Sequence, residues 1–116
     1  MSFNNDAIRT QKAKLDTSVA NSAEDISTSP GFLTYLQCTN PSATLGYLQI
    51  FDVPAASVTV GTTTPILSFA IPANGAWDLP LTHPIFFKQG CSYAAATTAT
   101  GNGAIGTDLI LNALYS

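Results

Sequence analysis

The chain has 116 residues, four of them Lys or Arg and seven Asp or Glu, for a net charge of −3 at pH 7. Charged residues make up 9 % against roughly 25 % in an average soluble domain, while the 46 % hydrophobic share is ordinary. One core can therefore be buried, and charge-driven disorder is excluded. Lys12, Lys14, Lys88 and Arg9 are too few for the basic footprint that nucleic acid requires, and no apolar run approaches the ~18 residues of a membrane span.

In chain order, Asp6, Arg9, Lys12, Lys14, Asp16, Glu24 and Asp25 put seven of the eleven charges into the first 25 residues. This charge shift divides the chain into a polar N-terminal arm, 1–22, partly helical or extended, and a nearly uncharged body, 23–116. Residues 5–15 can form a short helix capped by Asn5 or Asp6. Its only large apolar residues are Ile8 and Leu15, so it needs a partner surface to persist. The N-terminus lacks the basic-then-apolar order of a signal peptide, so the expectation is a chain made and kept inside a cell.

From there, β-favouring segments alternate with Pro, Gly and Asn. Candidate strands cover 14–20, 23–28, 32–39, 44–52, 66–71, 76–81, 85–88, 91–99 and 107–115. The turns between them include Ser29-Pro30-Gly31, Asn40-Pro41-Ser42, Pro72-Ala73-Asn74-Gly75, Gln89-Gly90 and Gly101-Asn102-Gly103. Short strands at this spacing with no long helical pattern predict an all-β fold. The expected form is an antiparallel β-sandwich of about eight strands, for which a jelly roll is one candidate topology, with an N-terminal arm. Alternation puts Cys91, Tyr93 and Ala95 on one face, and Leu109, Leu111 and Ala113 on another. Segments 44–52 and 66–71 are apolar on both faces, which predicts cover on both faces, the second supplied by another subunit.

Catalytic chemistry is sparse. His83 is the only histidine, set beside Pro84, and reads as a surface loop residue. No two carboxylates are spaced as an acid/base pair. Residues 101–106 spell GxGxxG, but before a strand and with no helix after, so they read as a hairpin loop rather than a nucleotide site. Cys38 and Cys91, each inside a candidate strand, could meet across a sandwich as a disulfide, but two buried free thiols in a reducing compartment are the favoured reading. With only His83 to add, they make no metal site. Trp77 reads as core, with a sugar-binding platform as the rival. No catalytic residue, cofactor or metal is expected, and the chain does not read as an enzyme.

The series Gly46-Tyr47-Leu48-Gln49-Ile50-Phe51-Asp52, Val60-Gly61-Thr62-Thr63-Thr64-Pro65-Ile66-Leu67, Ile71-Pro72-Ala73-Asn74-Gly75 and Ile85-Phe86-Phe87-Lys88-Gln89-Gly90 resembles small virion proteins of tailed bacteriophages. The resemblance spans roughly residues 32–115, and each matched element is structural. Asn74 stands where that family has a turn glycine, and Lys88-Gln89-Gly90 where Ser-Thr-Gly is common. The resemblance implies a virion structural protein, assembled in the host bacterial cytoplasm. The preferred form is a capsid cement or decoration protein that bridges major capsid subunits. The alternative is a tail, neck or fibre accessory module that binds a host receptor or glycan.

The expected partners are the major capsid protein and copies of the chain itself, with other tail or fibre proteins in the alternative; neither nucleic acid nor membrane is among them. The expected contact residues are Ile8, Arg9, Lys12 and Leu15 of the arm, Tyr47 and Phe51 of an exposed aromatic edge, and Val58 and Val60 in the loop 55–64.

Overall fold

The computed structural model describes residues 11–116, apart from the side chains of 80–82. Eight strands form: β1 (Lys12–Val19), β2 (Glu24–Ser27), β3 (Gly31–Asn40), β4 (Gly46–Phe51), β5 (Leu67–Ile71), β6 (Gly75–Phe87), β7 (Cys91–Ala96) and β8 (Leu109–Tyr115). A 3-10 turn, Ala55–Ser57, interrupts the loop after β4. Two expected segments, 76–81 and 85–88, fuse into β6. The sequence puts Pro80 and Pro84 inside it, which an edge strand tolerates because one side of its ladder has no partner.

The strands form two four-stranded antiparallel sheets, ordered β1-β8-β3-β6 and β2-β7-β4-β5. The pairing is nested. First pairs with eighth, second with seventh, third with sixth and fourth with fifth. The chain is thus one long antiparallel ribbon folded over on itself, and the β3–β8 and β4–β7 ladders close the fold.

The expected strand 14–20 forms as β1 and starts two residues earlier, so the stretch 12–15 shared with the possible helix 5–15 is strand, and Lys12 to Asp16 pair in register with Tyr115 to Leu111. The sandwich therefore begins at Lys12 rather than residue 23, because β8 supplies the partner that a lone amphipathic turn lacks. Residues 5–10 of the expected helix lie outside the described residues.

The core lies between the sheets. Leu33, Leu36 and Cys38 of β3, Leu109, Leu111 and Ala113 of β8, Leu48 and Ile50 of β4, and Cys91, Tyr93 and Ala95 of β7 are all buried in it. Leu33 and Leu36 both point inward although three residues apart, which strict alternation forbids. A bulge resolves this: register shifts between Leu33 and Tyr35 on both sides of β3. The chain end is tied down as well. Phe32 and Ser116 exchange backbone hydrogen bonds of 2.9 Å. A Cβ at Gly31 would meet the Ser116 carbonyl oxygen at 2.0 Å, so only glycine fits there.

Each open side of the sandwich is closed by one side-chain pair. Between edge strands β5 and β6, Phe69 stacks on Trp77 with centroids 4.4 Å apart. On the opposite side, Tyr93 of β7 donates its hydroxyl hydrogen to Asp16 Oδ2 of β1 at 2.6 Å.

Candidate functional site

The outer faces of the two sheets differ, and the difference locates the candidate site. The outer face of the second sheet carries Tyr47, Gln49 and Phe51 of β4 with Ser92, Ala94 and Ala96 of β7. Two loops of the same chain fold over it. Residues 52–66 cross one end, where Ser92 Oγ donates to the Val53 carbonyl at 2.7 Å and the Ala55 N–H donates to Asp25 Oδ1 at 2.7 Å. Residues 97–106 cross the other. There Gln49 Nε2 donates to the carbonyls of Thr98 and Gly101 at 3.3 and 3.0 Å, and Ser68 Oγ to that of Ala99 at 2.8 Å. Under this cover Phe51 is 1 % exposed and Ala94 and Ala96 are fully buried. The expectation that another subunit covers segment 44–52 is therefore corrected at Phe51, which the chain's own loops enclose.

The outer face of the first sheet has no such cover among the described residues. Outward positions are Ala13 and Leu15 on β1, Ile110, Asn112 and Leu114 on β8, Phe32, Tyr35, Gln37 and Thr39 on β3, and Ala76, Asp78 and Phe86 on β6. Leu15, Phe32 and Phe86 are 63 %, 45 % and 51 % exposed. They account for three of the five exposed large apolar side chains among the described residues. Phe32 and Phe86 face each other across the β3–β6 ladder with ring centroids 5.2 Å apart. Leaving such groups in water costs roughly 25 cal/mol per Å² relative to burial. Phe32 and Phe86 thus cluster on this face, with Leu15 farther along it beside Asn112, and exposed apolar groups that cluster mark an interaction surface where single ones do not.

Between these side chains the face mixes apolar positions such as Ala13, Ile110, Leu114 and Ala76 with polar ones, and it is almost uncharged. Asn112 Nδ2 donates to Gln37 Oε1 at 2.9 Å, and Gln37 Nε2 donates to Thr39 Oγ1 at 3.0 Å. The Tyr35 hydroxyl donates to Asp78, a bond that holds the phenol above its ordinary ionisation range. Asp78 is the one acid at these outward positions, and none is Lys or Arg. A groove of about 330 Å³ runs between β1, β8 and β3, bordered by Leu15, Tyr35, Gln37, Asn112 and Leu114.

The other titratable groups do structural work. Asp16 Oδ1 accepts from the Ser18 N–H at 2.8 Å in addition to binding Tyr93. Asp52 Oδ1 accepts from the N–H groups of Lys88 and Gln89 at 2.7 and 3.2 Å, which fixes the turn before β7. With Asp25 and Asp78, four of the seven carboxylates are thus engaged as staples. Cys38 and Cys91 are free and buried, as read from the sequence, and desolvation pushes both thiols up to about 12. His83 is exposed on β6. Among the described residues no group of three or more His, Cys, Asp or Glu could hold a metal ion. No described helix is long and apolar enough to cross a membrane. Residues 101–106 lead through a loop into β8 rather than a helix, a context unlike that of a dinucleotide fingerprint.

The sequence-predicted contact residues do not converge. Lys12 and Leu15 are exposed on β1, with Leu15 on the bare face. Tyr47 is half-buried on the outer side of the other sheet, opposite Ala70 and Ala96. Val58 and Val60 are half-buried in the loop 52–66, on that same far side. Ile8 and Arg9 lie outside the described residues. Missed by sequence reasoning were Phe32, Phe86 and Tyr35. The adjacent pair Phe86-Phe87 held the signal, since neighbours on a strand point to opposite faces and only one of two can enter the core.

Comparison with family models, with characterised proteins and with solved structures returns no match for this chain.

Proposed function

We propose that this protein is a jelly-roll building block of a tailed-phage particle. It acts as a cement or decoration protein of the capsid, laying the outer face of its first sheet across junctions between major capsid subunits. The nested pairing of first strand with eighth through fourth with fifth supports the jelly-roll reading. The sequence resemblance supports the virion reading, with assembly in the host bacterial cytoplasm.

One observation carries the role: one sheet is roofed by its own loops while, among the described residues, the other leaves Leu15, Phe32 and Phe86 exposed on a nearly uncharged face. Such a face is cheap to desolvate because, apart from Asp78, its polar groups are amides and hydroxyls, and Asn112, Gln37 and Thr39 are already bonded to one another. Each contact need supply little energy. On a shell, many copies act together, and the gain comes from the closed array.

The engaged carboxylates and the suppressed thiols support a non-enzymatic role. For the rival glycan-binding module, Trp77 was the natural platform, but its ring is stacked on Phe69 and packed against the core, which favours the capsid reading. The test is saturable binding of the purified protein to phage heads that lack it. We expect binding at many equivalent sites per head and no retention on a glycan array. Array binding without head binding would reverse the order of the two readings.

A further inference from the structure

We propose that β1 is a dimerisation edge: two copies pair their β1 strands antiparallel about a two-fold axis at Leu15, joining their first sheets into one eight-stranded sheet. This goes beyond the capsid role and does not depend on it.

Among the described residues the two sheets have four edges, and three of them are short or interrupted by Pro. β2 and β5 are short, at 4 and 5 residues. β6 is long, but Pro80 and Pro84 remove donors from it. β1 has 8 residues without Pro or Gly, and Lys12–Asp16 keep regular register ahead of the bulge near its end. Its two lysines, Lys12 and Lys14, would ordinarily discourage pairing. Here the strand carries its own complement, because Asp16 lies two residues beyond Lys14 on the same side of the pleat.

Register then selects itself. Directly opposed residues of an antiparallel pair share a sheet face, so the two-fold must pass through a residue position. An axis at Leu15 sets Lys14 of each copy against Asp16 of the other, twice, with no like charges opposed. Moving the axis to Lys14 opposes Lys14 with itself, and moving it to Asp16 opposes Asp16 with itself. Both charged positions precede the bulge between Asp16 and Val19, so they lie in regular strand. Asp16 accepts from Ser18 N–H and the Tyr93 hydroxyl, and a carboxylate retains lone pairs for an ammonium donor.

The same register brings Leu15, 63 % exposed and the most exposed large apolar side chain among the described residues, against its own copy. The groove that Leu15 borders with Leu114 and Tyr35 then meets its symmetry mate across the axis. The dimer thus presents one continuous outer face twice as wide as that of a single chain.

Sedimentation of the full chain tests this. The wild-type protein is expected to be a dimer, and Lys14→Asp, which turns two attractive pairs into repulsive ones, should raise its dissociation constant at least about tenfold. Asp16→Lys should do the same, and mixing the two variants should restore a dimer, because each then supplies the charges the other lacks. Since Asp16 also holds Tyr93, a second measurement is independent of it. Leu15→Cys should form a reducible crosslinked dimer with diamide, because opposed Cα atoms in an antiparallel pair lie about 4.5–5.5 Å apart, within disulfide reach. A monomeric wild type at the highest soluble concentration, an oligomer that Lys14→Asp leaves intact, or a Leu15→Cys variant that does not crosslink overturns the proposal.

Discussion

The Tyr93 hydroxyl, rooted in the middle of the second sheet, reaches Asp16 Oδ2 on the edge strand of the first at 2.6 Å. This contact spans the layers on the side where no aromatic stack seals the core, and it couples β1 to the rest of the fold. A hydrogen bond to a charged acceptor contributes about 1.5–3 kcal/mol. Tyr93→Phe should therefore lower unfolding stability by about that amount in urea titration. Fraying of β1, read by hydrogen exchange at Leu15 and Asp16, should rise more than that of β3.

Alkaline pH should weaken the fold through the buried thiols. Cys38 and Cys91 ionise near 9.0 in an exposed chain, and burial moves them to about 12 in the fold. Between those values the unfolded chain has released protons that the native state retains. The share of stability linked to these thiols is thus full below about pH 9, declines as pH rises and is lost through about pH 12. Burial and the Asp16 bond likewise raise the Tyr93 phenol, which adds to the decline above about pH 10. Urea midpoints across this range should show the slope, and Cys38→Ala should flatten it. The same burial predicts that neither thiol reacts with a disulfide reagent at neutral pH until the chain unfolds.

At the other open side, Phe69 and Trp77 form the seal. Both rings are partly buried, so Phe69→Ala should cost about 2 kcal/mol, below the 3–5 kcal/mol of a fully buried aromatic. Trp77 fluorescence should shift to the red in the folded variant as water reaches the indole. An unshifted spectrum would mean that Phe69 does not shield it.

Asn74 holds φ at 55°, the one positive φ outside glycine among the described residues, in a turn closed by the Gly75 N–H to the Pro72 carbonyl at 3.1 Å. Asn74→Gly should be neutral within about 0.5 kcal/mol. Asn74→Val should cost about 1–2 kcal/mol, because a β-branched residue resists the left-handed region. Thermal melts of the two variants should separate accordingly.

This turn was legible in the sequence because its chemistry is local: an Asn-Gly step after Pro admits few backbone solutions. So were the strands, since alternation and turn residues act over a few positions, and so were the two thiols, held by apolar neighbours on their own strands. What escaped was set by tertiary placement. No local pattern announces the β3 bulge that turns both Leu33 and Leu36 inward. Phe51 carries the alternation of a residue awaiting a partner, yet it is enclosed by loops that begin in sequence after it or tens of residues away. The bare face was hidden for the same reason, since Phe32 and Phe86 are 54 positions apart and meet only through the β3–β6 register. The pairing of 12–16 with β8 required a partner strand from the far end of the chain.

The proposed capsid role requires that the outer face of the first sheet meet the particle. Hydrogen exchange of the protein, free and bound to heads that lack it, measures this directly. Bound, β1, β3 and β8 should gain protection, while the loops 52–66 and 97–106 over the second sheet exchange as before. Protection confined to those loops, with Leu15, Phe32 and Phe86 as accessible bound as free, would contradict it.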